Sequence, residues 1–126
     1  PPYTILMTSR ASVGFFGLCE HEVCTNQGFI SCIPYQENTR YYLLYNLMNR
    51  VDEIRAKASG STFLEISKKN FRGLRIVLPT DSVLDAFTKL IFPMVRQMET
   101  LTKSIATLQE ARDRLLPKLM NGEIEV

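Results

Sequence analysis

Apolar residues along this chain change their spacing once, near residue 80, and the change divides it in two. In the first part they come in short runs between turn residues. "YTILMT", "VGFFGLC" and "GFISCIP" read as strands; Ser9-Arg10-Ala11-Ser12 separates the first two and Pro34 closes the third. "TFLEI" and "LRIVLP" read as two further strands. Within this part, "TRYYLLYNLMNRVDEIRAKA" shifts to a helical period. Tyr41, Leu44, Tyr45, Met48, Val51 and Ile54, with Leu47 alongside, fall on one face. Residues 1–80 are therefore expected to form a small mixed α+β domain.

Beyond residue 80 the period is different. Leu84, Phe87, Ile91, Met94, Met98, Leu101, Ile105, Leu108 and Leu115 recur in steps of three and four with one lapse, at Arg112. That pattern amounts to roughly four and a half heptads. Asp81 or Ser82 is placed to cap its start, and Asn121-Gly122 supplies the left-handed pair expected at its end. Pro93 lies inside and is expected to kink or loosen the helix. The flanks, among them Leu90, Val95, Gln97, Thr102, Ser104, Ala111 and Leu116, carry almost no charge. Parallel zippers select partners with charged flanks, so this wide stripe is expected to be covered from more than one side. An ordinary amphipathic helix would show the same period, but about 35 residues run about 50 Å. A helix that long outreaches an 80-residue domain and needs a partner. Residues 81–126 are thus expected to form a long coiled-coil helix, serving as spacer and dimerisation element, with a short tail.

Composition narrows the class. The chain has 126 residues, 45% hydrophobic and 22% charged, which suits a folded protein with one core. No apolar run approaches the roughly 20 residues of a membrane span, and no signal segment is visible. Pro1-Pro2-Tyr3 leads directly into strand-like residues, so a piece of something longer is expected. Cys19, Cys24 and Cys32 are odd in number and irregular in spacing, which fits a reducing, cytoplasmic setting. With His21 they lack the short paired knuckles of zinc sites, and small thiols on strands are expected instead.

The net charge of +2 conceals a concentration. Residues 1–49 and 76–126 each sum to −1, whereas 50–75 carry seven Lys and Arg against three acids. Within that segment, "GSTFLEISKKNF" gathers a glycine, small hydroxyls and two lysines around a turn. Such a backbone suits close approach to an anion, and the charge is the footprint of a polyanion.

Several stretches, in order, carry a family resemblance. "TILMTSRASVG" resembles the strand and turn of a target-recognition domain from a type I restriction–modification specificity subunit. "TNQGFISCIP" resembles that domain's next strand, "YYLLYNL" its helix, and "GSTFLEISKKNFRGLRIVLP" its closing segment. "LLPKLMNGEIEV" resembles the end of the family's conserved helix. An intact subunit has two such domains and two helices; this chain corresponds to the later part of one domain with one helix.

The resemblance implies DNA recognition without catalysis. Each domain reads one half of a bipartite double-stranded target, while the helices set the separation and hold methyltransferase (modification) subunits. Through these the restriction subunit is engaged, and methylation and ATP-driven cleavage belong to those partners. It further implies a bacterial, cytoplasmic protein, and the apolar helix leads to the expectation of a homodimer of this chain. No catalytic residue, metal or cofactor is expected, since no phosphate loop, carboxylate cluster or cofactor glycine loop is present. Pro1-Pro2-Tyr3 is like part of an amino-methyltransferase motif but lacks its leading Asn or Asp. The alternative is a coiled-coil protein–protein module without sequence-specific DNA binding.

Candidate roles follow. Lys68, Lys69, Arg72 and Arg75 are candidates for phosphate contacts, or else form a solvated basic face. Gly60, Ser61 and Thr62 suit phosphate hydrogen bonds or a turn that only the fold requires. In the Thr8-Ser9-Arg10 turn, the Arg10 fork fits guanine O6 and N7. Asn26 and Gln27 have the amide geometry for adenine or hold a structural turn. Tyr41, Tyr42 and Tyr45 are expected on a core-facing helix surface, with base stacking as the alternative.

Overall fold

The computed structural model describes residues 1–124 and divides into two compact units, Pro1–Thr88 and Lys89–Val126. The first is built on a three-stranded antiparallel sheet, β1 (Thr4–Thr8), β2 (Phe16–Cys19) and β3 (Phe29–Cys32), in the order β2-β1-β3. Alternation along β1 sends Ile5 and Met7 into full burial and leaves Leu6 and Thr8 partly covered on the other face. Ile5 pairs with Leu18 on one side and Cys32 on the other, which fixes the register. Met7 then meets Val13, Ile30, Leu47, Ile54 and Ile66 in the core.

The expected single helix is two. α1 (Thr39–Asn49) and α2 (Val51–Ala56) are separated at Arg50, whose φ of −112° and ψ of 22° leave the helical region. The Arg50 guanidinium is bound to Glu53 at 2.7 Å and to the Arg75 carbonyl at 2.9 Å. Tyr41, Leu47 and Ile54 are buried, while Met48, expected on the apolar face, is exposed.

Neither "TFLEI" nor "LRIVLP" is a strand. Gly60 reverses the chain, so Ser59 and Glu65 exchange both backbone hydrogen bonds at 2.9 Å and only isolated bridges remain. Residues 74–79 are irregular, with Leu74 and Ile76 packed on the core. Two of their carbonyls are taken by side chains rather than a strand: Arg75 by Arg50, and Val77 by the Tyr42 hydroxyl at 2.6 Å. A short helix, α3 (Lys68–Arg72), stands where a turn was expected; the Ser67 hydroxyl caps it by accepting from the Asn70 amide at 3.1 Å.

α4 spans Asp81–Met120 without interruption at Pro93 or Pro117. The proline costs one intrahelical donor there but does not end the helix. The Thr80 carbonyl accepts from Val83 and Leu84, each at 3.0 Å, so Thr80 rather than Asp81 stands at the cap position. At the far end Gly122 takes φ +76°, and the Glu123 amide reaches the Lys118 carbonyl at 2.9 Å, closing a Schellman turn. The last two residues of the tail, Glu125 and Val126, lie outside the described residues.

The first turns of α4 belong to the first unit. Leu84 is buried, Phe87 meets the Tyr42 ring edge-on at 6.2 Å, and Asp85 and Thr88 bond Asn38. The second unit, taken by itself, is the rest of this helix. Its apolar seam is open: Met94, Met98, Leu101, Ile105, Leu108 and Leu115 are all exposed, Leu108 by 68%. Ile91 and Ala111 are partly covered.

Candidate nucleic-acid interface

Two adjoining recesses open on the first unit, and Asn26, Gln27 and Phe29 line both. The first, about 430 Å³, adds Thr8, Arg10 and Phe63. The second, about 480 Å³, adds Lys68 and Arg72. Residues scattered over more than sixty positions of sequence thus meet around the turn at Asn26.

That turn is self-supporting. The Asn26 carboxamide oxygen accepts from the Gly28 amide at 2.8 Å, an Asx turn, and the Gly28 carbonyl accepts from the Ser9 amide at 2.8 Å. Both Asn26 and Gln27 are exposed. Thr8 is a brace: its hydroxyl donates to the Ser12 carbonyl and accepts from the Phe15 amide at 3.0 Å. Ser9 is 3% exposed, and its hydroxyl lies 3.5 Å from the Gln27 carbonyl. It is therefore covered, unlike the exposed Arg10 beside it.

Helix α3 explains which cations converge. Lys68 and Arg72 stand four residues apart and share a face, whereas Lys69 is rotated away and lines neither recess. All three are exposed and have no ion pair among the described residues. Arg75 is exposed outside both recesses. Gly60, Ser61 and Thr62 are exposed on the turn that leads to Phe63 and line neither. At Gly60, with φ of +147°, an added Cβ would overlap the Phe63 carbonyl oxygen, so the fold itself demands glycine.

Phe63 and Glu65 were not legible as surface groups, because "TFLEI" has the composition of a strand. Phe63 is 58% exposed at the edge of the Arg10 recess. Glu65 lies across from Arg10, with its Oε2 3.8 Å from Nε.

Tyr41 is buried and Tyr42 is engaged with Val77 and Phe87, so neither offers a stacking platform. Arg40 stacks over the Tyr3 ring at 3.8 Å, which occupies the tyrosine of Pro1-Pro2-Tyr3. Cys19 and Cys32 are partly covered on strands, while Cys24, expected on a strand, is exposed in a loop. Burial pushes the Cys32 thiol up to about 11, so it stays neutral and unreactive near pH 7. Among the described residues no group of His, Cys, Asp and Glu is arranged to hold a metal ion, and no helix is long and apolar enough to cross a membrane.

Residues 1–110 match the model of the type I restriction modification DNA specificity domain. The chain is 31% identical to the type I restriction enzyme HindI specificity subunit of Haemophilus influenzae, over 98% of this chain and 28% of that protein. It is 31% identical to the MjaIX specificity subunit of Methanocaldococcus jannaschii, over 82% of this chain and 26% of that protein. A putative MjaX specificity subunit of the same organism is 24% identical over 97% of this chain and 29% of its own length. The chain therefore spans less than a third of the length of these relatives. With this match over most of its length, the chain belongs to the family of type I restriction modification DNA specificity domains.

Proposed function

We propose that this chain reads one half of a bipartite double-stranded DNA target as part of a type I specificity subunit. It does so without catalysis of its own. The observation that carries this reading is the convergence of Arg10, Asn26, Gln27, Lys68 and Arg72 on two adjoining recesses. Lys68 and Arg72 contact phosphates, and the Arg10 and Asn26-Gln27 side chains reach base edges. Lys69 and Arg75 add positive field around that surface, and Ser61 and Thr62 border it. The domain is residues 1–80, and 81–126 supply the spacer and dimerisation helix with its short tail. Methylation and cleavage fall to modification and restriction subunits held in the same cytoplasmic complex.

The exposed seam of α4 supports the second half of the proposal. In this reading its apolar side chains are covered by another helix, in an isolated preparation that of a second copy. Filter binding to duplex DNA at 50 and 200 mM salt tests the function. A sequence-selective complex whose affinity drops steeply with salt is expected. Affinity that is absent, or indifferent to salt, would leave only a protein–protein module.

A further inference from the structure

Arg10 sits on backbone that is hydrogen-bonded on both sides. Its neighbours are tied on both sides: the Ser9 amide to the Gly28 carbonyl at 2.8 Å, the Ser9 carbonyl to the Ile66 amide at 2.9 Å, and the Ala11 amide to the Leu64 carbonyl at 2.8 Å. Ala11 is held at φ +58°, a conformation that a residue with a Cβ adopts only where its surroundings impose it. Glu65 is tied as firmly, through two backbone bonds to Ser59 at 2.9 Å. Two rigid backbones therefore bring one cation and one carboxylate face to face, each side chain half exposed.

A carboxylate is out of place on a surface that meets phosphates, because it opposes the polyanion. Its use must be local. Glu65 comes closest at Nε, 3.8 Å away, which leaves the Nη end of the guanidinium fork for a ligand. Guanine O6 and N7 accept from such a fork in parallel. From these placements we infer that Glu65 is a positioning residue for Arg10, and that the pair selects a G·C base pair at one position of the target. The inference rests on the DNA-reading function proposed above. An exposed ion pair biases the guanidinium rather than locking it, so Glu65 modulates the selection that Arg10 makes.

The test uses the natural full-length protein in the complex with which it purifies. Preferred targets are selected from a randomised duplex pool, and affinity is then measured for duplexes changed at each position. Wild type should prefer G·C at one position by about tenfold or more, and Arg10→Ala should erase that preference alone. Glu65→Ala and Glu65→Gln should weaken the same preference about three- to fivefold and leave other positions untouched. Both should also raise affinity for unrelated DNA, because a repulsive charge is gone. These opposite signs separate positioning from misfolding, which lowers every affinity; Glu65→Gln keeps the side chain's size as a further guard. Unchanged preference in both Glu65 variants, or no position dependent on Arg10, overturns the inference while the DNA-reading function stands. Wild type without any sequence preference overturns both.

Discussion

The two units leave opposite kinds of surface open. On the first, a core that includes Ile5, Met7, Leu47, Ile54 and Leu84 is buried, and apolar side chains such as Phe15, Tyr35 and Val77 stay exposed without a repeating period. Asn26, Gln27, Lys68 and Arg72 face solvent around the recesses beside Phe63. On the second, the helix beyond residue 88 exposes all but Ile91 of the residues that its period singles out, Met98 by 61% among them. A charged surface is stable in water and becomes useful when a polyanion displaces its counterions. An apolar stripe is not, and it drives association by being removed from water. On the function proposed above, one chain takes two partners, one bound by salt-sensitive forces and the other by salt-tolerant ones.

The largest effect should come from charging the stripe. Replacing Leu101 and Leu108 with Glu places carboxylates in a seam that pairing desolvates, at several kcal/mol each if buried. Sedimentation should show self-association weakened at least about a hundredfold, with the melting of the first unit unchanged. If the wild-type protein is already a monomer at micromolar concentration and stays so, the stripe is not a pairing surface and the comparison fails.

Next comes the same residue type in the covered region. Leu47 is 1% exposed, and Leu47→Ala should cost about 2–5 kcal/mol through lost burial and a residual cavity. Leu108→Ala, at an exposed site, should shift the first unit's denaturant midpoint hardly at all. Equal shifts would mean that the two regions are not distinct in the way their burial implies.

Cys32 offers a titration confined to the covered region. Its folded thiol is raised from 9.0 to about 11 by burial, so the folded state disfavours the thiolate. The resulting stability is fully present below about pH 9 and is lost as the pH climbs from about 9 to about 11. The loss should reach at most about 2–3 kcal/mol. Urea unfolding at pH 8 and pH 10.5 should show this slope in wild type and a shallower one in Cys32→Ala. At pH 8 a thiol reagent should label the exposed Cys24 well before Cys32.

How much of this was legible in the sequence depended on whether a signal was local. Period alone located β1, β2, β3 and α4, because alternation and heptad spacing are written in neighbouring residues. It misplaced Met48, which the fold leaves exposed, and it ran through the break at Arg50, whose side chain binds a carbonyl 25 residues away. It turned 62–66 and 74–79 into strands, because composition does not reveal that Gly60 folds one segment onto itself. Nor does it reveal that Arg50 and Tyr42 occupy the other segment's carbonyls. The candidate site divided along the same line. Arg10, Asn26, Gln27, Lys68 and Arg72 stood out by residue type, yet only the fold put them together. Ser9 turned inward and Gly60 serves a turn that the fold itself demands, while Phe63 and Glu65 came to the surface unannounced.

The smallest effect is the sharpest probe of the charged surface, because it compares adjacent residues on one short helix. Lys68 lines a recess beside Asn26 and Gln27; Lys69, one position on, lines neither recess. If α3 presents its cations to phosphates by helical phase, Lys68→Ala removes one contact and Lys69→Ala removes only diffuse field. The Lys68 variant should weaken DNA binding by about 0.5–1 kcal/mol, equally for preferred and unrelated sequences. The slope of log affinity against log salt should become shallower by about 0.9, one phosphate's worth. For Lys69→Ala the slope should hold and the loss be smaller, fading at higher salt as the Debye length shortens. Self-association through the seam of α4 should respond to neither substitution and little to salt. Equal slopes for the two variants would mean that the basic stretch acts as a cloud of charge rather than as a surface with a face.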